Sequence, residues 1–391
     1  MLKRLRTLIW AVVLLGGALL AIRTFVGDIY RISSSSMAPV CLVDEFVFVL
    51  HDRSAPERHD LVVVRHGGEF LVKRAIGVGG ALGESVRIDK GDLRVNGDKL
   101  GPLEPRPPMV PLFDDQVLKI EDHFRSSELW KRDTDSPTES APFVLDAREV
   151  PFGANAGLLG YVRSLHDGWL MPGGEVIEGI YDVADVAVEA EVVIRQSGGR
   201  LRAVLLEERD TFEFIVDFQE GGLCRVTLVR DGMSDDTGVL AEAEVPFEVG
   251  VPVQLRFVNR DDHLTGYWRL GGGTLGEWSE ADVAIRASYE RNAIERNPTR
   301  SPSAFERVQF GAEGCELELR RLRILRDQHW TAQGSHGVDR PVELQPGELF
   351  ILGDNSHASR DGRHFGALPG EQVMGRPLMV VWPPSRAREV R

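Results

Sequence analysis

Four consecutive hydroxyls, Ser33 to Ser36, are followed by Met37-Ala38-Pro39 and then by the apolar run Phe46 to Leu50. Such a run can be a flexible tether, or it can hold one serine as a nucleophile. A serine hydroxyl attacks at neutral pH only when a base takes its proton. The usual base is histidine, but none of the ten histidines stands in a Gly-x-Ser-x-Gly or His-Glu-x-x-His spacing. His51, His59 and His66 follow no ligand pattern and read as surface residues. The other available base is a lysine kept neutral by burial, because desolvation disfavours the ammonium form. Lys73 meets that need. It lies between Phe70-Leu71-Val72 and Arg74-Ala75-Ile76, and no other lysine occurs between Lys3 and Lys90. Taken singly, a Lys-Arg pair on a strand reads as a solvated face, and Gly353-Asp354-Asn355 reads as a turn.

The elements that must position these groups are mostly strands. Phe46 to Leu50 and Leu61 to Val64 are apolar runs of strand length, Phe70-Leu71-Val72 leads into Lys73-Arg74-Ala75-Ile76-Gly77-Val78, and Asn96-Gly97 is a hairpin turn signal. Five prolines between Pro102 and Pro111 read as a stiff linker, and the polar stretch to Pro151 shows no clear pattern. From Asp182 alternation of apolar and polar residues returns in eight short segments ending near Leu325, the pattern of an all-β sandwich. Ser279 to Glu295 reads as a surface loop or a short helix. Glu348 to Leu352 and Val373 to Pro383 return to the style of the first strands.

The 391 residues suffice for two or three domains, and 42% hydrophobic with 27% charged residues allows a sizeable core. A formal net charge of −14 argues against a nucleic-acid partner. Cys41, Cys224 and Cys315 are too scattered for a disulfide framework or a zinc site. Pairing of Cys224 with Cys315 is left open by their spacing. No metal or cofactor is expected. At the N-terminus, Lys3, Arg4 and Arg6 precede an uncharged stretch from Leu8 to Ile22. Extended over residues 7–26, it predicts an uncleaved transmembrane helix with its N-terminus in the cytoplasm and the rest of the chain on the outer side. A cleaved signal and a buried core helix are the alternatives.

Several segments together resemble the bacterial type I signal peptidases, membrane-bound Ser/Lys endopeptidases. Ser34-Ser35-Ser36-Met37-Ala38-Pro39 is similar to their Ser-x-Ser-Met-x-Pro box. His59-Asp60-Leu61-Val62-Val63 resembles Gly-Asp-(Ile/Val)-Val with His in place of Gly. Val72-Lys73-Arg74-Ala75-Ile76-Gly77 resembles their Lys-Arg box, and Gly353-Asp354-Asn355 through Ser359-x-Asp361-Gly362-Arg363-x-Phe365-Gly366 their last box. Gly362 stands where the family usually has Ser, and Ser356-His357-Ala358 replaces its frequent Arg-Asp-Asn. The resemblance implies Ser36 as nucleophile and Lys73 as general base. It also implies an oxyanion hole from Ser34 and the Ser36 N–H, and Ser359, Asp361, Arg363, Asp354 and Arg74 as supporting residues. Met37 and Pro39 would border shallow pockets for small side chains at the −1 and −3 positions. Its partners would be signal peptides of exported preproteins, the lipid bilayer and the secretion machinery, with cleavage at the outer face of the cytoplasmic membrane.

The expected fold is therefore mainly β: a signal-peptidase-like core split by an inserted sandwich and preceded by one transmembrane helix. Its parts are the anchor (1–27), the first part of the core (28–103), a linker with a poorly patterned segment (104–181), the inserted sandwich (182–327) and the second part of the core (328–391). The sandwich resembles concanavalin-A/LamG-like jelly rolls in pattern, which leaves its ligand unknown. Trp268, Trp278 and Trp330 would form either core packing or a sugar platform. Two further functions stand beside signal-peptide cleavage: a membrane-tethered binding module for carbohydrate or protein with an inactive core, and a specialised Ser/Lys maturation protease.

Overall fold

The computed structural model describes residues 26–390 except 133–141, 197, 208–209, 219–222, 232–237 and 291–305, with isolated positions before residue 26. The chain divides into two units, Met1–Pro108 with Gln328–Arg391, and Met109–Asp327.

In the first unit, Leu61–His66 shows why an unbroken apolar run marks a central strand. It pairs with Glu69–Val78 on one side and Val373–Trp382 on the other. Its alternate residues feed different cores. Leu61 and Val63 pack with Met37, Val47, Val49 and Val380, whereas Val62 and Val64 pack with Leu349, Ile351, Leu368 and Val373. The sheet has eight strands and runs Gly27–Arg31, Phe46–Leu50, Val373–Trp382, Leu61–His66, Glu69–Val78, Glu348–Leu352, Leu368–Pro369, with Arg388–Glu389 beside Val373–Trp382. A second sheet of four strands joins Val342–Leu344 to Glu84–Asp89, Asp92–Val95 and Asp98–Lys99. In its last turn Asn96 and Gly97 take φ of 53° and 94°, the left-handed pair that a two-residue hairpin requires. Chain from both sides of the second unit is thus hydrogen-bonded into one sheet.

The second unit contains an eight-stranded and a seven-stranded antiparallel sheet, together with a two-stranded hairpin, Trp169–Leu170 with Val176–Ile177. Asp210–Phe218 buries every second residue, as a strand with one covered face must. Phe214 of that strand stacks on Phe257 of the other sheet with ring centroids 5.9 Å apart, and both belong to one continuous core. Residues 104–181 contribute to these sheets. Val110–Asp114 and Phe143–Asp146 pair with Glu316–Arg326, and Leu158–Tyr161 pairs with Val308–Glu313. Strands of four or five residues among prolines and charges are too short to show a period. The segment read as a loop or short helix is a 3-10 turn, Glu280–Asp282, closed by a Ser279/Asp282 capping box, followed by strand Val283–Ser288; its end falls outside the described residues. All three cysteines are buried free thiols.

The transmembrane helix expected over residues 7–26 is corrected. Among the described residues no helix is long and apolar enough to cross a membrane. The α-helices Ile120–His123 and Gly362–Phe365 have four residues each, whereas a span needs about 20. Most of residues 7–26 lie outside the described residues.

Because Phe214 is fully buried between the sheets, Phe214→Ala is expected to lower the stability of the second unit by about 3–5 kcal/mol. Urea unfolding of the variant checks this; a loss under about 1 kcal/mol would mean that the sheets do not interlock there.

Candidate active site

Ser36 sits in a 3-10 turn, Ser35–Met37, which buries Ser36 and Met37 and leaves Ser34 exposed. Met37 is 1% exposed and anchors the turn in the core beneath it, against Ile32, Cys41, Val47 and Leu61. The Asn355 N–H donates to the Ser36 carbonyl at 3.0 Å, tying the turn to the distant Gly-Asp-Asn segment. Lys73 Nζ lies 2.6 Å from Ser36 Oγ, and Ser34 Oγ donates to the same oxygen at 3.2 Å. Pro39 is half-buried at the end of the turn.

Lys73 reaches Ser36 from Glu69–Val78, where it is paired with Val62 in the middle of the sheet. It is 2% exposed. Burial pulls its pKa down from 10.5 to about 8; Asp361 and Asp354 oppose that shift and Arg363 reinforces it. A sizeable fraction of this amine is therefore neutral slightly above physiological pH.

Two buried ion pairs surround the lysine. Arg74, the next residue on its strand, grips Asp354 through Nε (2.8 Å) and Nη2 (2.6 Å), and its Nη1 donates to the His59 carbonyl at 2.7 Å. Asp361 accepts from Arg363 Nε and Nη2 at 2.9 and 2.8 Å, and from the Gly353 N–H at 2.9 Å. Both forks are bidentate, the geometry in which a guanidinium fixes a carboxylate most firmly. Gly353 cannot be replaced freely, since a Cβ there would collide with Ser359 Oγ and the Ser36 carbonyl. Ser359 Oγ is buried and has no hydrogen-bond partner among the described residues.

Three further side chains complete the cradle: Thr331 and Gln328 are absent from the sequence reading, and Ser356 enters it only as a departure from the last box. Thr331 accepts from Arg363 Nη1 through its carbonyl (2.8 Å) and its hydroxyl (2.7 Å), and Ser356 Oγ accepts from the same nitrogen at 2.6 Å. Gln328 Nε2 donates to the Asp354 carbonyl. Isolated polar residues in no motif carry no signal of their own in one sequence. His59 holds φ of 73°. That conformation favours glycine, which is what the resembled family has at this position.

The model of the family described as "Signal peptidase, peptidase S26" matches residues 5–153 and 282–382. The chain belongs to that family. It is 39% identical over 94 residues to thylakoidal processing peptidase 1 of Arabidopsis thaliana, covering 23% of this chain and 28% of that protein. It is 36% identical over 62 residues to signal peptidase I of Mycobacterium tuberculosis, covering 13% of this chain and 21% of the relative. The chain thus spans less than a third of the length of either relative. Among solved structures, a GH43 protein of Bacillus licheniformis aligns at 12% identity, covering 72% of this chain and 51% of that one, with a TM-score of 0.32; a score that low carries no argument.

Membership in the S26 family does not carry over the expected membrane-bound enzyme cleaving signal peptides at the outer membrane face. That function and the single-pass localisation both required a spanning helix, and no helix among the described residues can serve.

Removing one member of a buried pair leaves the other charge uncompensated. Asp354→Ala should therefore destabilise the first unit by about 3–5 kcal/mol, while the double change Arg74→Leu with Asp354→Leu should recover most of the loss. Urea denaturation of both variants tests this. Equal losses in the two would mean that the pair acts through side-chain volume and not through charge.

Proposed function

We propose that the chain is a serine endopeptidase working through a Ser36/Lys73 dyad. The observation that carries this reading is the 2.6 Å contact between Lys73 Nζ and Ser36 Oγ, within the reach a general base needs, together with burial that lowers the lysine pKa to about 8. In the neutral form Nζ takes the Ser36 proton as Oγ adds to the scissile carbonyl. The resulting oxyanion is stabilised by the Ser36 N–H and, after rotation away from Ser36 Oγ, by the Ser34 hydroxyl. The Lys73 ammonium then protonates the departing amine, leaving an acyl-serine. Lys73, neutral again, takes a proton from the water that releases the acid.

Asp354, Asp361 and their arginines act as positioning residues for the lysine strand and the Gly353–Phe365 loop. Their charges offset one another, so that burial dominates at Nζ. The substrate is an extended peptide with small residues beside the scissile bond. Met37 is packed under the nucleophile, which favours a shallow pocket over a deep one.

Ser36→Ala and Lys73→Met should each lower cleavage of an alanine-rich peptide mixture, read by mass spectrometry, by about 10⁴-fold or more. Normal cleavage by both variants would refute the dyad. For the unmodified chain, kcat/KM should rise tenfold per pH unit below about 8 and level off above it, since only the neutral amine is a base. A profile flat from pH 6 to 9 would exclude Lys73 as the base.

Folding stability carries the same sign. With its folded pKa depressed, Lys73 favours folding above its unfolded pKa and loses that contribution as pH falls through about 8. Lys73→Met should accordingly flatten the pH dependence of stability between about 11 and 7. Urea unfolding across that range reads it, and a profile as steep as that of the unmodified chain would rule out the burial effect.

A further inference from the structure

The second unit carries a pocket of about 180 Å³ lined by Leu112, His123, Tyr161, Arg163, Ser164, His166, Val176, Ile177 and Glu178. Its rim includes the two-stranded hairpin of Trp169–Leu170 with Val176–Ile177, and further contacts hold the segment around it. The Asp167 carboxylate accepts from the Ile180 and Tyr181 N–H groups at 2.7 and 2.9 Å. Arg326, 2% exposed, donates to the Gly168 and Asp167 carbonyls at 2.7 and 2.9 Å. Gly168 and Gly179 approach so closely that a Cβ on either would strike the opposite backbone. A rim held this way keeps its shape before a ligand arrives, which lowers the ordering cost of binding.

The lining has a particular chemistry. The Tyr161 ring is buried against Phe124, centroids 5.2 Å apart. Burial raises the pKa of its phenol, with Glu178 adding to the rise and Arg163 opposing it, so the hydroxyl stays protonated beside one cation and one anion. His123 Nδ1 lies 3.2 Å from the Lys119 carbonyl. A carbonyl only accepts, so the proton sits on Nδ1 and leaves Nε2 as an acceptor in the neutral ring. Ser164 adds a hydroxyl, and Leu112, Val176 and Ile177 add apolar wall. Arg163 and Glu178 cancel in charge, which disfavours a phosphate or a free carboxylate. Interspersed donors and acceptors beside an apolar wall suit a neutral ring with several hydroxyls on its edge and C–H groups on its face.

We propose that this pocket binds one neutral sugar ring of a saccharide. The tryptophans offered by the sequence do not provide such a platform: Trp268 is 5% exposed and Trp330 3%, and the Trp278 ring carries the Arg269 guanidinium 4.9 Å from its centroid with the Tyr267 ring 5.5 Å away. The inference is independent of the peptidase reading, because every lining residue belongs to the second unit.

The test is ligand-observed saturation-transfer NMR on the full chain with the methyl glycosides of glucose, galactose, xylose and N-acetylglucosamine at millimolar concentration. At least one glycoside should bind. Tyr161→Phe, which keeps the buried ring, and Glu178→Ala, which removes the carboxylate acceptor, should each weaken it about tenfold, the loss of one hydrogen bond to a buried or charged group. No transfer to any of the four overturns the proposal, as does binding that both variants leave unchanged. Binding of inorganic phosphate or glycine that Tyr161→Phe weakens, with no glycoside binding, overturns it as well.

Discussion

A primary amine enclosed in a protein interior is the constraint around which the first unit is arranged. An ammonium group is costly to bury, and the usual remedy is a carboxylate placed against it. Such a carboxylate would keep the amine protonated at neutral pH and so unable to accept a proton. Here two carboxylates, Asp361 and Asp354, do lie close enough to raise the pKa of Lys73. Each is already gripped by an arginine, and the Arg363 charge offsets part of the pull on the lysine. Burial therefore outweighs attraction, and the amine titrates near pH 8 instead of above 10.

That balance explains why the cradle is so densely hydrogen-bonded. A guanidinium with unpartnered N–H groups in the interior would shift or draw in water, and the field at Nζ would change with it. Arg363 instead spreads its donors over Asp361, Thr331, Ser356 and the Ser359 carbonyl. Arg74 divides its donors between Asp354 and the His59 carbonyl. Thr331 and Gln328 come just after the last strand of the second unit, so the chain returning to the sheet becomes part of the lysine's surroundings.

Residues that stand out by type or spacing could be picked from the sequence. Lys73 is the one lysine between Lys3 and Lys90, Leu61 to Val64 is apolar without interruption, and the Gly353 loop has several fixed spacings. Residues whose role depends only on where the fold brings them were not legible; Thr331 and Gln328 resemble any polar loop residue. The strands among residues 104–181 were hidden for another reason, since four or five residues interrupted by prolines give no periodicity. The segment after Ser279, read as a loop or a short helix, opens with a capping box on a single 3-10 turn, and the strand Val283–Ser288 behind it lies outside that reading. The apolar N-terminal stretch has the composition of a membrane span, but most of it lies outside the described residues, among which no helix is long and apolar enough to cross a membrane.

The pairing of Arg74 with Asp354 joins residues 280 positions apart in the chain. During synthesis at about 5–20 residues per second, Ser36 and Lys73 leave the ribosome roughly 15–60 seconds before the loop that completes their surroundings. Until then the lysine strand lacks its neighbour Glu348–Leu352. A nascent chain of this design carries Ser36 and Lys73 well before the surroundings that bury the lysine, which arrive only with the last strands.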